Sequence, residues 1–481
     1  MSKEINVVKK SIYWASIEKA LQFLLSFFVT TILAREIGPS AFGLVALAIV
    51  FEFLFLYLME SGLSQVIIQK KDINSTEINT AFSFNVVLGT LFTIAFYFSS
   101  DLLAGFFKEA LLSDIVKIMS VKIFLISLSR IHVALLEKYF KFKTLACISL
   151  PVRLLSGIFA VYLVFSGFGI WAFIYYNLVQ AALLSFALFL FSGHKVKFQF
   201  STKALKDLLP LGIQFSVTRL LNTLSEKLYY IVIGKYFSVA TLGLYQRADI
   251  IRRASSEEFA SVINRVFLPF FSKQAAISES FNEYFRKLAP FYSLFFFIAA
   301  VSIICLSDIL IQVLLGEEWS QASIFLKFLA VLGFVNALNL FLAMIRKSSG
   351  CGKELLNETI FERLIRLVLL IALLGHGLTI VILGQIMGSF LAFIFRIYKI
   401  KNFLNVCFLK ALKPFLLGVF LMGFVISALG GTYLFYYEYF NLLQVRFIII
   451  FLSLFLALLG IKFFYLSEAN FVVRNVFLKN K

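Results

Sequence analysis

Apolar segments of about 20 residues recur along the chain, and they restrict its fold more than any other feature. A helix of roughly this length crosses the hydrocarbon core of a bilayer. Hydrophobic residues make up 61% of the 481 positions and charged residues only 15%, too little polar surface for a soluble globule. We predict an all-α polytopic membrane protein with about fourteen transmembrane helices. Their predicted extents are 12–34, 41–62, 80–99, 114–136, 145–166, 169–191, 211–234, 242–266, 288–315, 320–345, 355–375, 377–397, 415–437 and 446–466.

Lys and Arg are concentrated in alternate short loops between these segments. One side holds pairs such as Lys70 with Lys71, the basic C-terminal tail, and also Arg346 and Arg396. The opposite side holds little beyond four cations, which are Arg35, Lys108, Lys235 and Arg446. Because cytoplasmic loops carry the excess of Lys and Arg, both termini are predicted in the cytoplasm, with an even number of helices. The net charge of +19 is then explained by topology, and we predict no nucleic-acid partner.

The turn after the first predicted helix has an echo in the second half of the chain. It reads AREIGPSAFGL over residues 34–44, and GKYFSVATLGL follows at residues 234–244, which pairs Gly43 with Gly243. In the first copy a Gly-Pro pair predicts a helix end and a tight corner. The offset of 200 residues predicts an internal duplication.

A second echo supports the duplication, since GFGI at 167–170 and GHGL at 375–378 lie at a nearby offset. With six helices between the copies, the halves would share one orientation as a parallel repeat. The predicted organisation is a six-helix lobe over 1–200, a second six-helix lobe over 201–400, and an additional helix pair with a basic tail over 401–481.

Charged residues inside the predicted helices are costly in lipid, so they usually face a bundle interior or a water-filled cavity. The eighth predicted helix is the most polar, and four of its residues share one face at spacings i, i+3, i+4 and i+7. These are Asp249, Arg252, Arg253 and Ser256. The seventh carries a similar stripe of Arg219, Asn222, Glu226 and Tyr230. Two polar stripes on successive helices predict a hydrated cavity between the lobes.

Arginines outnumber nearby carboxylates on the fifth, seventh and eighth predicted helices. Such an excess suits an anionic partner, because the guanidinium fork matches phosphate oxygens. The alternative is that the charges form ion pairs that only lock helices together, such as Asp249 with Arg253 and Glu362 with Arg366. Both interpretations stay open on the sequence.

Signatures of catalysis and of bound cofactors are missing. The sequence has no Gly-rich phosphate loop followed by Lys and Ser or Thr. Its three histidines are far apart, and its four cysteines lack paired or metal-type spacing. We therefore predict a membrane transporter, not an enzyme, with no cofactor and no metal.

Five segments carry a resemblance to a known family. They are LAREIGPSAFGLVALAIV (33–50), GLSQVIIQKKDINSTEINTAF (62–82), GFGIWA (167–172), IGKYFSVATLGLYQRA (233–248) and LLGEEW (314–319). Taken in order over roughly residues 5–400, the chain resembles the polysaccharide transporter family. Its members are Wzx-type flippases of lipid-linked oligosaccharides within the multidrug and oligosaccharidyl-lipid exporter superfamily.

The resemblance implies a fold like that of MATE and MurJ transporters and an alternating-access mechanism. The implied substrate is an undecaprenyl-diphosphate-linked oligosaccharide, which would move from the cytoplasmic to the outer leaflet of the bacterial inner membrane for O-antigen, capsule or exopolysaccharide synthesis. It also implies contact with polysaccharide polymerase machinery. Joined to the arginine excess, it predicts diphosphate ligands at Arg219, Arg252, Arg253, Lys19 and Arg153. Glu60 and Asp249 are the candidates for ion coupling.

Two other functions stay open. A cation-extruding multidrug antiporter of the same superfamily would need a net acidic cavity, and the arginine excess argues against it. A membrane glycan polymerase would normally carry a large outer loop with catalytic residues, and no predicted loop here is that long.

Overall fold

A computed structural model describes residues 2–194, 196–274, 278–350, 352–404 and 407–435, and every regular element within these ranges is helical. The predicted all-α class is confirmed. The helices are α1 (Ser2–Ile37), α2 (Pro39–Glu60), α3 (Leu63–Gln69), α4 (Ser75–Phe98), α5 (Ser100–Phe107), α6 (Leu111–Lys138), α7 (Phe142–Leu163), α8 (Ile170–Phe191), α9 (Thr202–Tyr236), α10 (Val239–Arg253), α11 (Phe259–Gln274), α12 (Ser278–Leu315), α13 (Ala322–Ser348), α14 (Gly352–Leu373), α15 (Leu378–Leu404) and α16 (Phe408–Phe435).

The first twelve predicted helices all have counterparts among these elements. The thirteenth, 415–437, lies mostly within α16, and the fourteenth, 446–466, lies outside the described residues. In the part of the chain that the structure describes, eight helices are long and apolar enough to cross a membrane. The protein is therefore a multi-pass membrane protein, while the count of fourteen stays a prediction. Hydropathy missed α3 and α5, because helices of seven and eight residues are too short to span a bilayer.

Contacts divide the described residues into two units. The first unit extends to Gly243 and includes Leu314–Glu318, and the second holds Leu244–Val313 and the described residues from Trp319 onwards. Helix α9 packs with the first unit, because Gly62 and Gly212 let it approach the end of α2 closely. A Cβ on Gly62 would lie only 2.0 Å from the carbonyl oxygen of Gly212. The predicted lobes over 1–200 and 201–400 rest on the repeat and stay a prediction.

The first turn is a corner, as predicted. Helix α1 ends at Ile37, and Gly38 has a φ of 81°, a conformation that L side chains rarely adopt. Pro39 is the first residue of α2, where its missing N–H costs no helical hydrogen bond. Gly43 lies one turn inside α2, where a Cβ would lie 1.9 Å from the carbonyl oxygen of Val239, so its role is close packing.

The non-helical segment between α8 and α9 is fixed to α4 by side chains. The amide oxygen of Asn79 accepts a hydrogen bond from the backbone N–H of Lys197 at 3.0 Å, and its Nδ2 donates to Gln199 Oε1 at 3.0 Å. Ser83 Oγ accepts from the backbone N–H of Gln199 at 3.0 Å. Backbone groups without helical partners are thereby satisfied. The segment is held on the first unit before α9 begins.

The core of the second unit is aromatic and centres on Phe341 of α13. Its ring centroid lies 4.7 Å from that of Tyr292, 6.2 Å from those of Phe285 and Phe415, and 6.4 Å from that of Phe271. Tilted and edge-to-face pairs of this kind add to the stabilisation from burial. Helix α13 is consequently held inside the unit, with its few polar side chains among apolar neighbours.

Candidate functional site

A cluster of charged side chains lies at the end of α10. Asp249 is buried and accepts hydrogen bonds from two arginines, from Arg252 Nε to Oδ1 at 2.7 Å and from Arg253 Nε to Oδ2 at 2.8 Å. The predicted shared face of Asp249, Arg252 and Arg253 is thereby confirmed. Ser256 lies beside them, and its hydroxyl donates to the backbone oxygen of Arg252 at 2.8 Å.

A π-helical turn over Ala254–Glu258 joins α10 to α11 and adds a second carboxylate to the cluster. Hydrogen bonds in a π-helix join residues i and i+5, so Glu257 lies one turn after Arg252 on the same side of the helix. Arg252 Nη1 lies 2.7 Å from Glu257 Oε1, and the Arg252 side chain is only 3% exposed. The guanidinium of Arg252 therefore contacts two carboxylates, which agrees with the ion-pair interpretation at this residue.

Asn336 of α13 extends the cluster to another helix. Its Nδ2 donates to Glu257 Oε1 at 2.9 Å, and its Oδ1 accepts from Arg366 Nη2 of α14 at 2.8 Å. Arg366 also pairs with Glu362 at 2.5 Å, as the i, i+4 spacing predicted. One neutral amide thus connects two groups of ion pairs on different helices.

The network continues towards the end of α13. Glu362 pairs with Arg396 of α15 at 2.8 Å, and Glu358 pairs with Arg346 at 3.0 Å and with Arg396 at 3.8 Å. Arg346 and Arg396 are 5% exposed, so assigning them to loops was wrong. In these contacts five guanidinium groups face four carboxylates. They are Arg252, Arg253, Arg346, Arg366 and Arg396, facing Asp249, Glu257, Glu358 and Glu362.

Exposure separates the arginines of the network into two kinds. Arg253 and Arg366 have 32% and 25% of their side chains exposed, whereas Arg252 has 3%. A ligand outside the protein core can reach the first two. Arg252 instead orients its carboxylate partners, so it is a positioning residue on this geometry.

Of the remaining predicted diphosphate ligands, Lys19 and Arg153 lie in the first unit, and the third is Arg219. Lys19 on α1 is exposed, and the buried Glu18 beside it accepts from Ser149 Oγ at 2.8 Å. Arg153 on α7 lies beside the side-chain amide of Gln180 on α8, whose oxygen would accept from Nη2 at 3.2 Å with the amide turned by 180°. The side chain of Arg219 on α9 lies outside the described residues.

Both candidates for ion coupling are engaged in ion pairs. Glu60 at the end of α2 is buried and pairs with Arg130 of α6, while Asp249 belongs to the cluster of the second unit. A further buried pair in the first unit joins Glu52 to Lys122 at 2.9 Å, and Lys122 also donates to Asn177 of α8. Buried charges in both units therefore bridge helices.

The fold is that of a polytopic helical membrane protein, and solved structures of a flippase and of a multidrug transporter share it. The structure is similar to that of the lipid II flippase MurJ in an inward closed conformation, with a TM-score of 0.73, 18% identity and coverage of 95% of this chain and 99% of that one. It is also similar to an inward-facing multidrug resistance MATE family transporter of the MOP superfamily, with a TM-score of 0.59, 14% identity and coverage of 86% and 99%.

The chain belongs to the family described as polysaccharide biosynthesis protein, which it matches over residues 32–324. The teichuronic acid biosynthesis protein TuaB of Bacillus subtilis (strain 168) is 25% identical over 283 residues, which cover 58% of each chain. The lipopolysaccharide biosynthesis protein WzxC of Escherichia coli (strain K12) is 25% identical over 336 residues, 68% of this chain and 66% of the relative. The chain thus spans between 58% and 66% of the length of these two relatives.

Proposed function

We propose that the protein is a flippase that moves an undecaprenyl-diphosphate-linked oligosaccharide from the cytoplasmic to the outer leaflet by alternating access. Membership of the polysaccharide biosynthesis family supports this proposal, as do relatives named for lipopolysaccharide biosynthesis and for succinoglycan biosynthesis transport. The fold shared with a lipid II flippase agrees with it. The glycan would serve an O-antigen, a capsule or an exopolysaccharide, and contact with a polymerase machinery belongs to the same proposal.

The observation that carries the proposal is the partly exposed guanidinium of Arg253 next to a buried cluster. Its Nε is fixed by Asp249 at 2.8 Å, and Asp249 is itself held by the buried Arg252. The contact with Asp249 orients the planar guanidinium, whose donor geometry suits the oxygens of a diphosphate. In this scheme Arg253 binds the diphosphate, and Arg252 positions Arg253 through Asp249. Arg219, Lys19 and Arg153 remain proposed ligands on the sequence argument.

Energy for the proposed transport would come from an ion gradient or from consumption of the exported glycan. Asp249 and Glu60 could couple to protons only by releasing an arginine partner, because each carboxylate lies in an ion pair. Flipping by the reconstituted protein under an imposed pH gradient tests this step. A rate independent of both pH and sodium gradients would reject coupling.

Replacement of Arg253 tests the diphosphate site in cells. Arg253→Ala should abolish surface glycan in a strain that lacks the chromosomal copy, whereas Arg253→Lys should retain part of the export because it keeps the charge but loses the fork. Lys327→Ala is the matched control, since Lys327 is a cation of the same unit with 32% exposure and one carboxylate partner at 3.1 Å. Equal export by Arg253→Ala and Lys327→Ala, at equal protein levels, would reject the assignment.

A cation-extruding multidrug antiporter is the second candidate, and the shared fold of the MATE transporter favours it. The described ion pairs of the second unit argue against it, because five guanidinium groups face four carboxylates in them. A drug-susceptibility panel separates the two functions. Resistance to cationic drugs that depends on this protein, with unchanged surface glycan on deletion, would favour the antiporter.

A further inference from the structure

An open cleft of about 450 Å³ lies where the turn between α3 and α4 meets the end of α6. The charged side chains that line it are Lys70, Lys71, Lys138, Asp72 and Glu77, and Tyr139 lines it as well. Three lysines and two carboxylates leave one net positive charge. We call this feature the lysine cleft.

Hydrogen bonds fix the walls of the lysine cleft. Lys138 Nζ donates to backbone oxygens at the end of α3, to that of Ile67 at 3.1 Å and also to that of Lys70. Glu77 Oε1 pairs with Lys70 at 2.5 Å, and Glu77 forms a capping box with Asn74 at the start of α4. The turn is thereby held in one conformation, so a ligand of the cleft would have little chain to order.

The two remaining charges of the lysine cleft are exposed. They belong to Lys71 and Asp72, and neither side chain forms a hydrogen bond or an ion pair with a residue that the structure describes. The ammonium group of Lys71 can therefore turn towards an anion in the cleft. Replacing Lys71 or Asp72 also leaves every bond of the walls in place.

Aromatic side chains indicate that the lysine cleft lies at the membrane surface. Tyr139 and Phe140, at the end of α6, are 47% and 50% exposed. Close by in the sequence, Lys143 Nζ lies 5.8 Å from the ring centroid of Trp14 on α1. Tyr and Trp are enriched at the level of the lipid headgroups, and the excess of Lys predicts that this side is cytoplasmic. The phosphates of the inner leaflet lie at the same depth.

We propose that the lysine cleft binds the headgroup phosphate of an anionic phospholipid from the cytoplasmic leaflet. Basic pockets on the cytoplasmic side of membrane helices are suited to such headgroups. A phosphodiester carries one negative charge, which the single net positive charge of the cleft would balance, whereas a prenyl diphosphate carries more. The cleft belongs to the first unit and Arg253 to the second, so this site goes beyond the proposed function and does not rest on it.

Replacement of the two exposed charges tests the site with opposite signs. The purified protein in detergent is titrated with dioleoyl-phosphatidylglycerol, and native mass spectrometry gives the apparent dissociation constant of the first lipid bound. Lys71→Gln should raise this constant about fivefold, the effect expected from one lysine near an anionic headgroup. Asp72→Asn removes a competing negative charge and should lower the constant by a similar factor.

A matched control separates the lysine cleft from the general positive charge of this side. Lys203 is an exposed cation near the start of α9, on the side that is predicted to be cytoplasmic. Lys203→Gln should leave the dissociation constant unchanged. Dioleoyl-phosphatidylcholine should bind more weakly than the anionic lipid and equally to all variants. Size-exclusion profiles of the lipid-free variants should match that of the parent.

Three results would overturn the lipid site. The first is one dissociation constant shared by the parent, Lys71→Gln and Asp72→Asn, and the second is an equal change in Lys203→Gln. The third is displacement of the lipid by inorganic phosphate or by farnesyl diphosphate, which would assign the cleft to a free phosphate or to a prenyl diphosphate instead. Glycan transport enters none of these measurements, so failure of the flippase proposal would leave the lipid site standing.

Discussion

Asn336 should contribute more to the free energy of unfolding than any other neutral polar side chain described on α13, because it bonds to both Glu257 and Arg366. Asn336→Leu keeps the size of the side chain but removes the bonds to Glu257 at 2.9 Å and Arg366 at 2.8 Å. A hydrogen bond to a charged group contributes about 1.5–3 kcal/mol. Because Glu257 and Arg366 are 27% and 25% exposed, water can replace part of each bond. We expect a loss of about 2–4 kcal/mol in the free energy of unfolding.

Asn339, one turn further along α13, provides the control. Asn339 is also buried, but its Nδ2 donates only to the backbone oxygen of Ser389 at 3.0 Å. A neutral bond contributes about 0.5–1.5 kcal/mol, so Asn339→Leu should cost clearly less than Asn336→Leu. Unfolding of the purified variants in mixed micelles of a mild detergent and SDS, followed by tryptophan fluorescence, gives both values.

A double-mutant cycle then locates the effect. If Asn336 acts through Glu257, the cost of Asn336→Leu should fall by about 1 kcal/mol in a Glu257→Gln background, because the bond that Asn336 donates there is neutral. Equal losses for Asn336→Leu and Asn339→Leu, or additive losses in the cycle, would refute the view that the amide couples the two groups of ion pairs.

Two further predictions concern the first unit. Glu60→Gln should lower the free energy of unfolding by about 1–2 kcal/mol, since it removes the charge that pairs with Arg130, whose side chain is 33% exposed. Asp101→Asn, which removes an exposed pair with Lys117, should change it little, and equal effects would contradict the prediction. Asn79→Leu should speed tryptic cleavage at Lys197 roughly tenfold or more, because it releases two hydrogen bonds that hold the α8–α9 segment. Ser166→Ala, whose hydroxyl bonds only within its own turn, should leave that cleavage rate unchanged.

Much of the fold could be predicted, because helix formation in a bilayer depends on local composition. Apolar length alone located twelve helices, and the i, i+4 spacing correctly paired Asp249 with Arg253 and Glu362 with Arg366. The similarity of segments 34–44 and 234–244 was visible because a close backbone approach requires Gly, which leaves a sequence signal at Gly43 and Gly243.

The rest of the candidate site depends on contacts that no local pattern encodes. The Arg252–Glu257 pair needs a π-turn, and its i, i+5 spacing is not one that an ordinary α-helix brings together. Arg346 and Arg396 lie at the ends of apolar runs, where composition cannot distinguish a loop cation from one neutralised by Glu358 on another helix. Asn336 and Asn339 lie in the same apolar segment, so only the positions of the π-turn, α13 and α14 show that Asn336 contacts Glu257 and Arg366.

In the proposed function, the protein moves a diphosphate-linked glycan across a bilayer and holds the diphosphate through Arg253. The most direct test is reconstitution of the purified protein into liposomes with a fluorescent undecaprenyl-diphosphate oligosaccharide, followed by capture of the glycan at the outer surface. We predict transfer well above protein-free liposomes, abolished by Arg253→Ala and retained by Lys327→Ala. Transfer no faster than in protein-free liposomes, or equal transfer by both variants, would contradict the account.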